Sequence, residues 1–286
     1  MVLANNWEDY EIIATGDGYK LERWLDVVLL RPDPQVIWPQ QEKLNNYKGL
    51  NARYVRSETG GGRWEKLKDF PESWIVSYKE LKFLIKPMGF KHTGLFPEQA
   101  ANWDKMTELI KNANRPINVL NLFAYTGGAT VACLKAGASV CHVDAAKGMV
   151  ERAGENCRLS KVGDGKVRFI IDDCLKFVQR EIRRGKKYDA IIMDPPSFGR
   201  GPNGETWKIE HELFNLVKTC TGVLSDNPLF FLINSYTTGL QPQVIKNILT
   251  LNMKDYGGKI DAYEVGLPTN EGIALPCGCS GIWTEN

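Results

Sequence analysis

The apolar run 188–193 ends at Asp194-Pro195-Pro196-Ser197-Phe198, which puts a carboxylate at the end of a buried strand that must stop there. Neither proline can donate a backbone hydrogen bond, so the chain turns with Asp194 and Phe198 in a stiff loop. Taken alone, Asp-Pro-Pro also reads as a plain turn that closes a strand. In an open α/β sheet, however, ligands bind at the carboxyl ends of the strands. A carboxylate, a proline carbonyl and an aromatic face suit a planar ring bearing an amine, which is the chemistry of a nucleobase.

The upstream sequence repeats the pattern of a strand ending in a functional loop. Val119-Leu120-Asn121-Leu122 runs into Phe123-Ala124-Tyr125-Thr126-Gly127-Gly128, and a helical stretch 129–136 follows. A strand-loop-helix unit of this kind receives a cofactor at the helix N-terminus. Phe123 and Tyr125 stand where a dinucleotide fingerprint would place glycines, which argues against a pyrophosphate and hence against a nicotinamide-dependent oxidoreductase. The next strand, 139–143, leads to Asp144, roughly twenty residues after the loop, the spacing at which an acid takes ribose hydroxyls. Asp144 also precedes the helical run 145–159 and reads equally as its N-cap; the two roles can coexist. A third strand, 167–171, ends in Asp172-Asp173-Cys174 before the helix 175–184. Any one of these acids is explained as a cap, but acids ending successive strands, followed by Asp-Pro-Pro, indicate a cleft.

Strands near 117–123, 139–143, 167–171, 188–193 and 229–235 alternate with helices from 97–113 onward, and 259–284 reads as a β-hairpin. The pattern predicts an α/β fold, a mainly parallel sheet with an antiparallel edge supplied by the hairpin. Residues 1–88 read as a small β-rich domain with a possible part in substrate binding, and 89–286 as the catalytic domain. In the first domain, short runs at 10–14, 24–30 and 74–78 read as strands, with turns at Gly16-Asp17-Gly18 and Gly60-Gly61-Gly62. Its Trp7, Trp24, Trp38 and Trp64 are expected mostly to make the core; beside Arg53, Arg56 and Arg63 they could also stack exposed bases.

The chain has 286 residues, 43% of them hydrophobic, enough for one large core and a modest appendage. No run approaches a membrane span, and the N-terminus lacks a secretory pattern. Seven cysteines, an odd number, point to reduced thiols in the cytoplasm. Cys277-Gly278-Cys279 is a tight pair, but with three histidines and no second pair it makes a poor zinc site, and no metal is expected. A net charge of +2 gives no global basic field. Locally, Lys176, Arg180, Arg183, Arg184, Lys186 and Lys187 read as a solvated helix face. Lys79, Lys82, Lys86 and Lys91 are better placed for phosphate contact. Best placed is the glycine-rich loop 199–208, with Arg200, Trp207 and Lys208, directly after the Asp-Pro-Pro turn.

The ordered series Asn-Leu-Phe-Ala-Tyr-Thr-Gly-Gly, Val-Asp, Asp-Asp-Cys and Asp-Pro-Pro-Ser-Phe resembles class I S-adenosylmethionine-dependent methyltransferases. In particular it resembles the group related to large-subunit (23S) ribosomal RNA (cytosine/guanine) methyltransferases. Gly89-Phe90-Lys91-His92-Thr93-Gly94-Leu95-Phe96-Pro97-Glu98-Gln99 is similar to the Lys-Thr-Gly segment that precedes the cofactor-binding core in that group. The likeness spans about 89 to the C-terminus, and the leading segment resembles that of some uncharacterised bacterial members. It implies a Rossmann-like fold, S-adenosyl-L-methionine as cofactor, and ribosomal RNA as the substrate, with no membrane partner. Carried over by position, it implies that Phe123, Ala124, Tyr125, Thr126 and Gly127 lie under the methionine part. Asp144 would bind ribose and Asp173 the adenine amine. Ala145, Asp172, Cys174 and Asp194 complete the implied cofactor set, and Thr93, Gly94 and Phe96 would close over it. Asp194 and Phe198 would face the methyl acceptor, with Pro195 supplying a carbonyl.

One departure bears on mechanism. Members that methylate carbon 5 of cytosine carry a nucleophilic Cys in a Ser-Cys-Ser segment after the fifth strand, where this chain reads Ile233-Asn234-Ser235-Tyr236-Thr237. Without a thiol there to attack carbon 6, methylation of a base nitrogen is the expected reaction, because it mainly needs alignment and late removal of a proton. Asp194 would accept that proton or simply hold the amine. Three alternatives stay open: a protein acceptor, a small-molecule acceptor, and carbon methylation by a displaced Cys277 or Cys279. A non-catalytic RNA-binding module is disfavoured, since Asp144, Asp173 and Asp194 are all present.

Overall fold

Leu50, Ala52 and Tyr54 point inward while the residues between them are half-buried, the period-two signature of a strand with one face on a core. The computed structural model describes residues 1–57, 61–200 and 206–285. It divides into an N-terminal unit, 2–101 with 266–277, and a C-terminal unit, 102–265 with 278–286 and Met1. The tip of the C-terminal hairpin, 266–277, is grouped with the N-terminal residues. Ala4 N–H donates to the Gly266 carbonyl (3.0 Å) and Asn270 N–H to that of Ile12 (2.9 Å).

In the N-terminal unit, β1 (Val2–Leu3) precedes a five-stranded sheet of order β2-β3-β4-β5-β6. These are β2 (Tyr10–Gly16), β3 (Tyr19–Trp24), β4 (Val27–Pro32), β5 (Leu50–Arg56) and β6 (Gly62–Lys66); β7 (Trp74–Tyr78) and β8 (Leu81–Ile85) form a separate hairpin. The apolar run 24–30, expected as one strand, is two. The chain reverses at Leu25-Asp26, with Trp24 opposite Val27 and Leu25 at φ 53°, so hydrophobicity alone concealed a hairpin turn. At the expected Gly16-Asp17-Gly18 turn, Asp17 and Gly18 both take positive φ, which matches the right-handed twist of a tight hairpin. Gly60 of the other expected turn lies outside the described residues.

The tryptophans serve the fold. Trp24 is fully buried. The indole N–H groups of Trp7, Trp38 and Trp64 donate to the Pro97 carbonyl, the Thr15 hydroxyl and the Met88 carbonyl. Arg53 and Arg63 are both paired with Glu65.

The register also builds an ion pair into this sheet. Ile12, Glu22 and Leu29 lie opposite one another on three adjacent strands, so Tyr10 and Arg31 are the diagonal neighbours of Glu22. Arg31 grips the fully buried Glu22 with Nε and Nη2, and the Tyr10 hydroxyl donates to it at 2.9 Å. Burial alone would raise the Glu22 carboxyl, but the Arg31 charge and hydrogen bonds outweigh it and hold the pKa below 4.5. Arg31→Met leaves Glu22 buried without its partner, and we expect a loss of about 3–5 kcal/mol at pH 7 by urea unfolding followed by tryptophan fluorescence. The sign with pH follows. In the wild type the Glu22 contribution is present above its unfolded pKa and is lost as pH falls through the lower folded value. In the variant Glu22 is free to protonate, so the deficit must shrink between pH 7 and 4; a constant deficit would contradict this assignment.

The C-terminal unit opens with α1 (Ala100–Asn112), followed by β9 (Asn118–Leu122), α2 (Gly128–Lys135), β10 (Ser139–Asp144), α3 (Lys147–Leu159), β11 (Val167–Ile171), α4 (Cys174–Arg183) and β12 (Ala190–Met193). It continues through β13 (Phe198–Arg200), β14 (Thr206–Lys208), α5 (Ile209–Thr221), β15 (Phe230–Ser235), α6 (Pro242–Met253), β16 (Lys259–Pro268) and β17 (Ala274–Thr284). The large sheet runs β11-β10-β9-β12-β15-β17-β16, with β1 beyond β16. β9 to β12 and β15 are parallel, and β17 is antiparallel to β15, as the alternation and terminal hairpin imply. β12 and β15 are buried at every position, which explains why they read as unbroken apolar runs. From β9 the chain steps outward to β10 and β11, then returns to β12 on the other side of β9. This order makes β9/β12 a topological switch point, and in open α/β sheets ligands bind in the crevice outside the carboxyl ends of the strands at such a point.

Two further expectations change. A 3-10 turn at Pro97–Gln99 precedes α1, rather than one continuous helix. The glycine-rich loop 199–208 is not open chain at its ends, because β13 and β14 pair, with Phe198 opposite Lys208 and Arg200 opposite Thr206. Its tip, 201–205, lies outside the described residues.

Candidate active site

The loop after β9 has few backbone partners of its own, so its polar groups are satisfied from neighbouring strands and helices. Phe123 N–H donates to the Cys174 thiol sulfur (3.2 Å), Ala124 N–H to the Val143 carbonyl (3.1 Å) and Tyr125 N–H to Asp144 Oδ2 (2.8 Å). Asn156, buried on α3, donates its amide to the Thr126 carbonyl at 2.8 Å. Phe123 and Tyr125 adopt φ 53° and 51°, a left-handed backbone that costs a non-glycine residue about 1–3 kcal/mol. These aromatics occupy positions where small residues would relieve the strain, and the anchors at Asp144 and Cys174 hold them there.

Asp144 takes one backbone N–H on each oxygen, Tyr125 on Oδ2 and Ala146 on Oδ1, both at 2.8 Å. Ala146 occupies the N-cap position of α3, so Asp144 braces the helix start without being its capping residue. Ala145 beside it is exposed. Asp173 is the N-cap of α4, accepting from Lys176 N–H at 2.8 Å. Asp172 is ion-paired with Arg180, so one cation of the basic helix face is already neutralised. Cys174 is buried under the loop, and burial pushes its thiol far up, out of the range of a nucleophile. Its place is structural support for Phe123.

On the other side of the switch point, Asp194 follows β12 directly, and Asn234 at the end of β15 donates its amide to Asp194 Oδ1 at 3.1 Å. Nothing in sequence spacing singles out Asn234; the parallel pairing of Met193 with Ile233 brings it there. Pro195 is buried, and the Pro196 carbonyl accepts the Trp207 indole N–H at 2.6 Å. Ser197 and Thr237 hydroxyls lie 2.6 Å apart. Phe198 is 52% exposed, with the Arg200 guanidinium 5.8 Å from its ring centroid. The Trp207 ring also lies 6.0 Å from that of Phe123. Trp207 thus ties the loop after β9 to the loop after β12.

Of the two thiols in the C-terminal hairpin, Cys279 is buried and Cys277 is partly buried. Cys279 lies opposite Ser235 across the β15–β17 ladder and donates to the Leu240 carbonyl at 2.9 Å; burial, with Glu264 adding to it, pushes its pKa up to about 11. Cys277 belongs to the N-terminal unit, and burial raises its thiol well above the ordinary value. Thr93, Gly94 and Phe96 also belong to that unit. Thr93 is fully buried with no hydrogen-bond partner on its hydroxyl, Gly94 takes φ 97°, and the rings of His92 and Phe96 meet edge-on at 5.6 Å.

Gly127 closes the loop at φ 82°, where an added Cβ would lie 2.8 Å from that of Ala153 on α3. Gly127→Ala combines a left-handed alanine with that collision. We expect a loss of about 2–4 kcal/mol in thermal or urea unfolding, more than an exposed Gly→Ala change would cause. Wild-type stability in this variant would show that the loop is not clamped against α3.

The profile described as S-adenosylmethionine-dependent methyltransferase matches residues 48–223. A ribosomal RNA large subunit methyltransferase K/L of Shewanella frigidimarina is 28% identical over 223 residues, covering 77% of this chain and 29% of that protein. A putative ribosomal RNA large subunit methyltransferase of Methanocaldococcus jannaschii is 32% identical over 162 residues, 53% of this chain and 40% of that one. The chain therefore spans well under half the length of these curated relatives. A solved structure of a SAM-dependent methyltransferase from Agrobacterium tumefaciens matches with a TM-score of 0.92 at 32% identity, covering 99% of this chain and 92% of that chain. With the strand order, the strained loop after β9 and the Asp-Pro-Pro turn at the switch point, these matches establish that the chain belongs to the S-adenosylmethionine-dependent methyltransferase family.

Proposed function

We propose that the protein transfers a methyl group from S-adenosylmethionine to a base nitrogen in ribosomal RNA. The observation that carries this reading is Asp194. It stands at the end of β12 at the switch point, held by a neutral Asn234 amide and followed by a proline carbonyl and an exposed aromatic face. That constellation suits an amine or ring nitrogen. The Shewanella and Methanocaldococcus relatives, named for ribosomal RNA, support RNA as the acceptor.

The donor set fits the cofactor. Each Asp144 oxygen receives one backbone N–H, and a carboxylate oxygen has a second lone pair for a ribose hydroxyl. Phe123, Ala124, Tyr125, Thr126 and Gly127 would hold the methionine part, with Asp173 placed for the adenine amine. Bound there, the cofactor supplies a methyl group made electrophilic by its sulfonium. The roles of Thr93, Gly94 and Phe96 rest on the sequence resemblance alone, and Asp172 and Cys174 act through the loop and helix they brace. On the acceptor side, Asp194 accepts a hydrogen bond from the reacting amine and turns its lone pair, the Pro195 carbonyl offers a second acceptor, and Phe198 presents a stacking face. Arg200 and Lys208, both on the β13–β14 hairpin, would contact flanking phosphates.

Nitrogen is favoured over carbon 5 because 233–237 holds no thiol and the nearby Cys279 is buried with its pKa raised to about 11. A cytoplasmic site of action is supported by the absence of any disulfide among the described residues. In those residues, no helix is long and apolar enough to cross a membrane.

The test is transfer of a labelled methyl group to ribosomal RNA from cells lacking this protein, with nucleoside mass spectrometry of the product. We expect a methylated base nitrogen. Asp144→Ala should weaken cofactor binding about tenfold or more in a calorimetric titration. Asp194→Ala should keep cofactor binding and lower transfer about 100-fold or more. Transfer to protein or a small molecule with none to RNA would replace the RNA assignment. A covalent adduct between RNA containing 5-fluorocytosine and Cys277 or Cys279 would replace nitrogen by carbon 5.

A further inference from the structure

Behind Asp194 a line of polar side chains runs into the core of the C-terminal unit. Asn234 Nδ2 donates to Asp194 Oδ1 at 3.1 Å, Ser280 Oγ to Asn234 Oδ1 at 2.8 Å, Asn102 Nδ2 to Ser280 Oγ at 2.9 Å and the Tyr263 hydroxyl to Asn102 Oδ1 at 2.9 Å. Asn102 and Ser280 are fully buried, Asn234 is 2% exposed and Tyr263 9%. The four residues come from α1, β15, β16 and β17, and Asn234 and Ser280 face each other in the β15–β17 register. Four polar side chains in an otherwise apolar core are costly to bury unless every one is bonded.

The direction of the chain follows from its end. An ionised carboxylate can only accept, so Asn234 must present its NH2 to Asp194 and its oxygen to Ser280. Ser280 must then donate to that oxygen, leaving its own oxygen to accept the Asn102 amide. Asn102 in turn presents its oxygen to Tyr263, which must donate. Every donor therefore points toward Asp194, and bonds aligned in this way polarise one another in a low-dielectric interior.

We propose that Asn234, Ser280, Asn102 and Tyr263 are positioning residues that fix the rotamer of Asp194 and favour its ionised, acceptor form toward the substrate amine. The proposal rests on the acceptor reading of Asp194 given above. Aligned donors stabilise the charged carboxylate, so cutting the chain makes Asp194 easier to protonate. It also loosens the carboxylate, which lowers the rate of the aligned step more than it weakens RNA binding. Charged or titratable groups next to the chain include Lys105 and Asp261 at Tyr263 and Cys279, with Glu264, in sequence beside Ser280. None of them is altered in the variants below.

The experiment reads Asp194 directly. The protein is labelled with carboxyl-13C aspartate, the Asp194 resonance is assigned by its loss in Asp194→Asn, and its titration is compared in wild type, Ser280→Ala and Tyr263→Phe. We expect Ser280→Ala to raise the apparent pKa of Asp194 by about half a unit to one unit, and Tyr263→Phe to shift it the same way by less. In methyl transfer, kcat should fall about tenfold in Ser280→Ala with KM for RNA changed by less than about threefold. Should Ser280→Ala fail to fold, Tyr263→Phe, which loses one oxygen at the far end, carries the test. Identical Asp194 titration in folded Ser280→Ala and Tyr263→Phe overturns the proposal, whatever their stability. A shifted titration in a protein whose wild type modifies no RNA supports the chain and overturns the RNA assignment instead.

Discussion

Asp144 is the constraint on which the cofactor-side geometry depends. A loop that leaves a parallel strand at a switch point has backbone N–H groups with no ladder to join, and buried orphans are costly. Here one carboxylate takes Tyr125 N–H with one oxygen and Ala146 N–H with the other, coupling the loop after β9 to the start of α3. The left-handed backbone at Phe123 and Tyr125 persists because that clamp, the Cys174 sulfur and the Asn156 amide over-determine it. If Asp144 also binds the ribose as proposed, it cannot be altered for one purpose alone.

The same economy of contacts is found on the proposed acceptor side. Trp207 touches both loops, through its ring to Phe123 and through its N–H to the Pro196 carbonyl. Asp194 in turn receives its orientation from a residue of the neighbouring strand. Preorganisation of this kind matters for methyl transfer to a nitrogen, where alignment of donor and acceptor supplies much of the rate and little covalent chemistry is asked of the protein. The buried thiols are consistent with that division of labour. Cys174 and Cys279 are hydrogen-bonded parts of the fold, with pKa values raised by burial.

In the N-terminal unit the corresponding fixed point is Glu22, buried and surrounded by Arg31 and Tyr10. A buried ion pair adds little net stability over an apolar substitute, but breaking it is costly. It also ties three strands to one register, since a slip of one residue would move Glu22 to the opposite face of the sheet. The tryptophans, which sequence reading left divided between core and base stacking, are committed to indole hydrogen bonds or full burial at Trp7, Trp24, Trp38 and Trp64.

Much of the architecture was legible in the residues. Apolar runs bounded by acids or prolines located β9 to β12 and β15 to within two residues, and Asp144, Asp173 and Asp194 were found at strand ends because a carboxylate after a buried run has no other local explanation than a cap or a site. What misled was local hydrophobicity where the chain reverses, as at Leu25-Asp26, and glycine content where the ends of a loop nevertheless pair, as in β13 and β14. Asn234, Ser280, Asn102 and Tyr263 were not legible at all. They are separated by up to 178 residues along the chain and carry no spacing, and only the strand order and register bring them into one line. The sequence by itself determined the alternation of strands and helices and the acids that end the strands, because those follow from local periodicity and backbone chemistry. The tertiary structure alone decided which side chains orient those acids, because that depends on long-range pairing that no local pattern encodes.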